Sequence, residues 1–387
     1  MSRDAVPRSR LGIGHPITDL TIPEKGSTTA REVLSASLKK LVRDLAEVPV
    51  RAPSSARVEA SVLRATVETA VKANPGALMA ALRRPTISAL IRCLRPLVGL
   101  SELRRDALIV ELLAALRYDL SGAGVPLPAA TDCRNPDRIV SLFDRSVRLA
   151  SGETSSPFFD VSKNVVLAVV DNNPLAMEEA HPDKEGNAID LGGRDPGVWC
   201  DMLRDAFDLV REHLPDLAGE IDLFVHQIVP VGFHEQRHLS ASYQEAIGTI
   251  YMTLHPSLMT MTEALIHEFS HNKINALFEL DEVLENAWSP LYTSPVRPDP
   301  RPLHGVLLAV HAFLPVARLY EVMTEAKHPR ALTEDFQKRF AQIRKTNREG
   351  CEVVLGNGKP TEVGKPLLAE IARWDAHYSK MEMGGSA

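Results

Sequence analysis

The sequence predicts a predominantly helical α+β protein, with a helical N-terminal lobe and a mixed α/β lobe that holds a small sheet beside a metal-binding helix. Three observations predict this class. Apolar residues recur at three- and four-residue spacing through most of the first 150 residues, which is typical of packed helices. After residue 155, short runs rich in β-branched residues alternate with helical stretches. Between them, residues 150–157 are small and polar, which marks a boundary between lobes.

The N-terminal part of the chain is predicted to be helical after a flexible start. Residues 1–28 are rich in Pro, Gly and charge, and predict a flexible N-terminus. The helical lobe is predicted to span residues 29–150. Its helices are predicted at 29–48, 55–73, 86–97 and 101–119, between Pro, Ser and Gly breaks.

The C-terminal lobe, which contains the motif described below, is predicted to span residues 155–387. Strands are predicted at 165–170, 223–229 and 248–254. The last of these alternates in the manner of a half-exposed strand, so it is either an edge to which an extended peptide can add or an internal strand of the core. A long proline-rich loop is predicted at 281–302, followed by helices at 303–325, 331–349 and 361–379.

Composition excludes several classes of protein. The chain has 387 residues, is 44% hydrophobic and 24% charged, and carries a net charge of −6, so it is an ordinary globular protein with no electrostatic reason to bind nucleic acid or an anionic membrane. Cys93, Cys133, Cys200 and Cys351 show no CxxC spacing, which argues against disulfides and thiolate zinc sites. The N-terminus lacks a signal-peptide core, and no uninterrupted apolar run reaches transmembrane length, so we expect a cytoplasmic protein without a membrane partner.

The most informative motif is His267-Glu268-Phe269-Ser270-His271, which reads HExxH. The surrounding residues predict a helix, because they contain neither Pro nor Gly. On a helix, residues i and i+4 share a face, so both imidazoles can reach one metal ion while Glu268 addresses a water molecule or a substrate group. The motif therefore predicts a metal site in which His267 and His271 are ligands and Glu268 is catalytic.

A third ligand is needed, because zinc and iron sites of this kind use three protein groups. His311 is favoured, since apolar neighbours place it deep in the helix predicted at 303–325. His304, seven residues earlier on the same face, is the alternative. A carboxylate is a further option, and the candidates are Glu282, Glu285 and Glu321.

Three stretches together resemble a known group of proteins. They are LIHEFSHNKINAL at 265–277, PVRPDPRPL at 295–303 and HAF at 311–313. This combination resembles the HExxH-containing peptide-modification proteins that accompany ribosomally synthesised, post-translationally modified peptides (RiPPs), over roughly residues 155–380. The group is described as 2-oxoglutarate-dependent peptide β-hydroxylases with iron. Some relatives carry a histidine at positions occupied here by Leu308 or Phe313, so the resemblance leaves the third ligand open.

The resemblance implies an Fe(II) cofactor, 2-oxoglutarate as cosubstrate and a ribosomal precursor peptide as partner. Fe(II) on three protein ligands keeps three positions free, two for the keto acid and one for dioxygen. Arg297 and Arg301 are then expected to bind the distal carboxylate, because a guanidinium binds carboxylate through two parallel hydrogen bonds.

Two other functions fit the same residues. In a zinc peptidase, Zn²⁺ on the same histidines lowers the pKa of a bound water, and Glu268 acts as the general base. In a non-catalytic peptide-binding component of a RiPP pathway, any metal is structural. The sequence leaves both alternatives open, and it leaves the oligomeric state open as well.

Overall fold

A computed structural model shows a predominantly helical α+β protein, as the sequence predicts. It describes residues 13, 16–177, 180–181, 184–185, 187–295 and 297–384. For residues 97, 180–181, 184–185, 297–298 and 382–384 the description covers the backbone alone.

The helices and strands run in chain order as follows. The helices are α1 (Thr29–Glu47), α2 (Arg57–Ala73), α3 (Pro75–Arg83), α4 (Pro85–Cys93), α5 (Glu102–Gly122), α6 (Pro196–His213), α7 (Pro215–Phe224), α8 (Leu258–Phe278), α9 (Leu303–Glu325), α10 (Glu334–Asn357) and α11 (Gly364–Gly384). The strands are β1 (Arg138–Ser141), β2 (Ser146–Leu149), β3 (Thr154–Ser155), β4 (Phe158–Asp160), β5 (Val166–Ala168), β6 (Ala180–His181), β7 (Lys184–Glu185), β8 (Gln227–Phe233), β9 (Ser240–Ala241), β10 (Thr249–Leu254), β11 (Leu291–Ser294) and β12 (Arg297–Pro302).

The chain divides into two compact units, and each of them is built from separate stretches of sequence. Unit 1 comprises the described residues of Met1–Ser37, Asp205–Phe224 and Leu258–Ala387. Unit 2 comprises those of Leu38–Arg204 and Val225–Ser257. The boundaries of these units differ from those of the lobes predicted at 29–150 and 155–387. The reason is that the strands that follow residue 155 pair with one another inside unit 2.

Unit 2 combines the helices α2–α5 with a five-stranded sheet of order β4-β5-β8-β10-β9. Strands β5, β8 and β10 are parallel, and the two outer strands are antiparallel to their neighbours. The strand predicted at 223–229 begins later, at Gln227, because α7 continues to Phe224. Of the two alternatives for 248–254, the exposed edge is wrong and the internal strand is found, since all six residues of β10 are buried and the strand pairs on both sides.

Unit 1 is formed by α7–α11 and the β11–β12 hairpin. The long loop predicted at 281–302 folds in part into this hairpin, with Tyr292 opposite Arg301. Prolines are tolerated here because, among the described residues, this sheet has only two strands and each strand keeps an unpaired side. Helix α9 is buried along most of its length and packs against α8 and α10.

Helix α9 is long and apolar enough to cross a membrane by length and composition. However, 78% of its apolar window is buried inside the protein. Such burial is typical of the core helix of a soluble protein, where neighbouring helices surround the apolar face.

The N-terminal segment contradicts the predicted flexible start over its described part. Leu20 and Thr21 are fully buried, and the backbone N–H groups of Thr21 and Ile22 donate hydrogen bonds of 3.0 Å to the carboxylate of Glu370 on α11. The segment is thus fixed within unit 1, although its composition resembles a tail. Residues 1–12, 14 and 15 of the predicted tail lie outside the described residues.

Candidate metal centre

Helix α8 carries the HExxH motif in the middle of a 21-residue helix without Pro or Gly. The polar side chains on its buried face bond back to the carbonyl oxygens one turn earlier. Ser270 Oγ donates to the carbonyl of Ile266 at 2.7 Å, and Asn272 Nδ2 donates to that of Glu268 at 2.9 Å. These bonds satisfy polar groups that burial would otherwise penalise, so the motif can lie inside the protein.

The structure brings His267, Glu268 and His271 together. Their ligand atoms all lie within 4.8 Å of one another, and this is the one such group of three among the residues that the structure describes. The two imidazoles are partly exposed, whereas Glu268 is 3% exposed. The two imidazoles are therefore partly accessible, while the carboxylate is held in the interior.

The two Nε2 atoms are 2.9 Å apart. Metal–imidazole bonds are about 2.0–2.1 Å long, so two nitrogens at this separation can bind one ion. The carboxylate of Glu268 is close enough either to ligate the same ion or to hold a water molecule beside it. In the metal-free protein, the same distance allows one imidazole N–H to donate to the other ring.

Burial also controls the protonation of His271. Burial, together with the positive charge that His304 can carry, lowers the pKa of His271 to about 4. His271 is consequently neutral near pH 7, which is the form that binds metals.

Helix α9 places Phe313, rather than a histidine, against the motif. The rings of Phe313 and His267 meet edge to face, with centroids 4.6 Å apart. His311, two residues earlier on α9, is buried, and it lies close enough to Lys273 and His271 of α8 for their positive charge also to lower its pKa.

His311, the predicted third ligand, lies outside the group of three. It is fully buried, and neither ring nitrogen has a hydrogen-bond partner in the described part of the chain. Burial lowers its pKa well below the usual value, and positive charge on Lys273 and His271 adds to the effect. Burying an imidazole with two unsatisfied nitrogens costs free energy of folding. The contacts of His311 in the described chain do not offset this cost, so the two unsatisfied nitrogens need another explanation, such as a ligand role.

His304, the alternative ligand, is part of an aromatic stack. The centroid of its ring lies 4.5 Å from that of Trp288, with the two rings stacked. It lies 4.4 Å from the centroid of the Phe278 ring, and these two rings are tilted. Burial lowers its pKa to about 4. Phe278 follows His271 by two turns on the same face of α8. The stack, also outside the group of three, thus lies towards the C-terminal end of this helix.

The carboxylate candidates do not join the metal group either. Glu321 is almost fully buried, and its oxygens are bound by Arg318 at 2.7 Å, His377 at 2.5 Å and Tyr378 at 3.1 Å. Glu282 and Glu285 are exposed in the segment that follows α8.

Of the two predicted arginines, only Arg301 has a described side chain. Its aliphatic carbons pack near Gly305 in the first turn of α9, and its Nε lies 3.4 Å from Asp299. The side chain is 32% exposed. Its ion pair with Asp299 lies at the surface and contributes little free energy. The guanidinium can therefore bind another carboxylate. The side chain of Arg297 lies outside the described residues, while its backbone pairs with Ser294.

Two networks that hold α8 in place were not predicted from the sequence. Glu263, one turn before His267, accepts hydrogen bonds from Arg339 Nε at 3.0 Å and Nη2 at 2.6 Å, and from the hydroxyl of Tyr320. The partners lie 57 and 76 residues away, so no local pattern identifies them.

The second network holds α8 nearer its C-terminal end. Lys273 is fully buried, and its Nζ donates to Glu220 at 2.6 Å and to the carbonyl of Thr21 at 3.3 Å. The same ammonium lies 5.1 Å from the centre of the Phe269 ring. These contacts tie α8 to α7 and to the N-terminal segment.

In comparisons with protein-family models and with curated proteins, nothing matches this sequence.

Proposed function

We propose that this protein is a metal-dependent oxygenase that hydroxylates a side-chain carbon of a ribosomally made peptide, with Fe(II) as cofactor and 2-oxoglutarate as cosubstrate. The observation that carries the proposal is the group formed by His267, Glu268 and His271, whose donor atoms lie within 4.8 Å of one another on a partly exposed face of α8. The resemblance of the motif and the proline-rich segment to HExxH peptide-modification proteins supports the choice of reaction.

The donor set fits Fe(II). Two imidazoles and one carboxylate are the ligands that non-haem Fe(II) oxygenases use while leaving coordination positions open. His267 and His271 are the first two ligands. The third is either Glu268, which already lies beside both rings, or His311, whose nitrogens lack partners in the described chain. When bound, the iron supplies the oxidising chemistry in which 2-oxoglutarate, O₂ and a C–H bond become succinate, CO₂ and a C–OH group.

The protein residues bind, orient and shield the reactants. Arg301 is proposed to bind the distal carboxylate of 2-oxoglutarate, since its fork of N–H donors is accessible and lies on the strand that leads directly into α9. Phe313 covers one edge of His267 and limits the access of water to that ring. If Glu268 is not a ligand, its carboxylate is placed to orient a water molecule or a substrate group.

The test is anaerobic addition of Fe(II) and 2-oxoglutarate to metal-free protein. We expect a weak visible charge-transfer band, followed by slow succinate formation when air is admitted. His271→Ala should abolish both, and Arg301→Gln should raise the 2-oxoglutarate concentration needed for the band without removing iron. A colourless mixture with the wild-type protein would contradict the oxygenase proposal.

A zinc hydrolase is the second candidate, favoured by the position of Glu268 beside both imidazoles. Purified protein that holds one zinc per chain and cleaves peptides without oxygen would establish it. Protein that binds peptide tightly, without metal and without turnover, would instead indicate a non-catalytic component.

Which residue completes the metal site can be measured separately. Loss of metal in His311→Ala, with metal retained in His304→Ala, would assign His311 as the third ligand. Loss of metal in Glu268→Gln, with metal retained in His311→Ala, would assign Glu268. The proposal also places the reaction in the cytoplasm, where ribosomal peptides are made, and its partner is a precursor peptide rather than a nucleic acid or a membrane.

A further inference from the structure

A cavity of about 360 Å³ opens in unit 2 where the segment after α1 meets the start of α2. We call it the arginine pocket, and it is lined by Pro49, Val50, Ser54, Arg57, Ser61 and Arg64. Ligand sites in proteins usually have volumes of about 300–1,000 Å³, so this cavity is large enough for a few peptide residues. None of the expected site residues lies in it.

The charge in this pocket is positive, although the chain carries a net charge of −6. Arg57, Ser61 and Arg64 follow one another at helical spacing on one face of α2. Within the described part of the chain, neither arginine has an ion-pair or hydrogen-bond partner. A pair of unpaired guanidiniums in a concave surface favours an anionic ligand.

The neighbouring acidic side chains do not neutralise the two arginines. Glu59 is 2% exposed and binds Arg134, with its Oε1 at 2.9 Å from the arginine Nε. Glu47, at the end of α1, pairs with Arg51 at 3.4 Å.

The start of the helix adds a hydroxyl donor. A short 3-10 turn, Ser54–Ala56, runs directly into α2, and Ser54 lines the cavity at this point. A serine hydroxyl can donate a hydrogen bond to a carboxylate.

The spacing of the arginines indicates the shape of the ligand. Arg57 and Arg64 are seven residues apart, which is about 10.5 Å along a helix. A ligand with two carboxylates about this far apart can pair with each arginine separately. In a peptide with the polyproline II conformation, residues i and i+3 share one side and lie about 9.3 Å apart. Val50, which is 65% exposed, provides an apolar surface beside the two charges.

We propose that the arginine pocket binds a peptide segment in the polyproline II conformation, with two carboxylates three residues apart and an apolar side chain between them. One carboxylate pairs with Arg57 and the hydroxyl of Ser54, and the other pairs with Arg64 and the hydroxyl of Ser61. The apolar side chain contacts Val50 and Pro49. This site lies in unit 2 and does not depend on the metal centre or on the proposed oxygenase activity.

The test measures fluorescence anisotropy of a labelled peptide, Gly-Ser-Asp-Leu-Leu-Asp-Ser-Gly, with capped ends and the full-length protein. We expect saturable binding that weakens as salt is added. Arg57→Glu and Arg64→Glu should each weaken binding about tenfold or more, because each removes a charge-assisted pair and adds repulsion. A peptide with both Asp residues replaced by Asn should not bind, and one with the two Asp residues adjacent should bind less tightly.

Arg31→Glu is the matched control, since it makes the same change of charge at an exposed arginine outside the pocket. It should change the affinity by less than about twofold, because screening weakens distant charges. Circular dichroism of each variant checks that the fold is retained. The inference is overturned if the wild-type protein shows no saturable binding up to millimolar peptide, if the two pocket variants bind normally, or if Arg31→Glu weakens binding as much as they do.

Discussion

Replacing Lys273 with Met should destabilise the protein strongly at alkaline pH and less at acidic pH. The side chain is fully buried, and its ammonium binds Glu220 at 2.6 Å and the carbonyl of Thr21 at 3.3 Å. Removing one partner of a buried ion pair costs about 3–5 kcal/mol, because the remaining charge is left in a medium of low dielectric constant.

The pH dependence follows from the carboxyl group of Glu220. Burial raises its pKa above the usual value even in the wild-type protein, where Lys273 opposes the shift. Without Lys273 the pKa rises further, so the folded variant binds a proton that the unfolded chain releases. Between the unfolded and the folded pKa, stability then falls by about 1.4 kcal/mol for each pH unit of increase. The loss relative to wild type should therefore be largest near pH 8 and should shrink towards pH 5.

Urea denaturation followed by circular dichroism at pH 8 and pH 5 measures this effect. Lys273→Met combined with Glu220→Leu should recover most of the loss, since an apolar pair can replace a buried ion pair. Lys365→Met is the control, because Lys365 pairs with Glu362 on the surface and should contribute less than about 1 kcal/mol. A loss below about 1 kcal/mol for Lys273→Met at pH 8, or a loss that is equal at both pH values, would refute the reasoning.

Four further outcomes are expected. His271→Ala should lose the metal, measured by metal analysis after dialysis, whereas Phe313→Leu should keep it. Burial and the charges of neighbouring arginines lower the pKa of His226 to about 3, so the unfolded chain binds an extra proton below about pH 6.5 and stability is lost as the pH falls. His226→Gln should remove about 2 kcal/mol of the difference in unfolding free energy between pH 7 and pH 5. Gly350→Ala should cost about 1–3 kcal/mol in urea denaturation, since its Cβ would lie 2.6 Å from a methyl carbon of Val310.

Helix α8 and its HExxH motif could be predicted from the sequence because the information is local. His267 and His271 are one turn apart, and the helical periodicity around them extends over the whole of α8. The predominantly helical α+β class was predicted for the same reason, and it is confirmed. The hairpin at 291–302 was missed, since its prolines indicate a loop unless the pairing of Tyr292 with Arg301 is known.

The rest of the candidate site could not be predicted, because it depends on contacts between helices that are far apart in the sequence. The position of Phe313 against His267 and of Trp288 against His304 depends on how α8 and α9 pack, which periodicity does not specify. The same holds for Arg339, whose partner Glu263 lies 76 residues earlier. His311 remains a prediction for the third ligand. It is buried and both of its ring nitrogens are unsatisfied in the described chain.

The bonds between Glu370 and the amides of Thr21 and Ile22 also determine when this protein can finish folding. The bonded residues are separated by 349 positions, so at about 5–20 residues per second the ribosome needs roughly 17–70 s to synthesise the acceptor after the donors. During that interval Leu20 and Ile22 have no completed core to enter. The segment around Leu20 and Ile22 is therefore expected to need a chaperone until α11 leaves the exit tunnel.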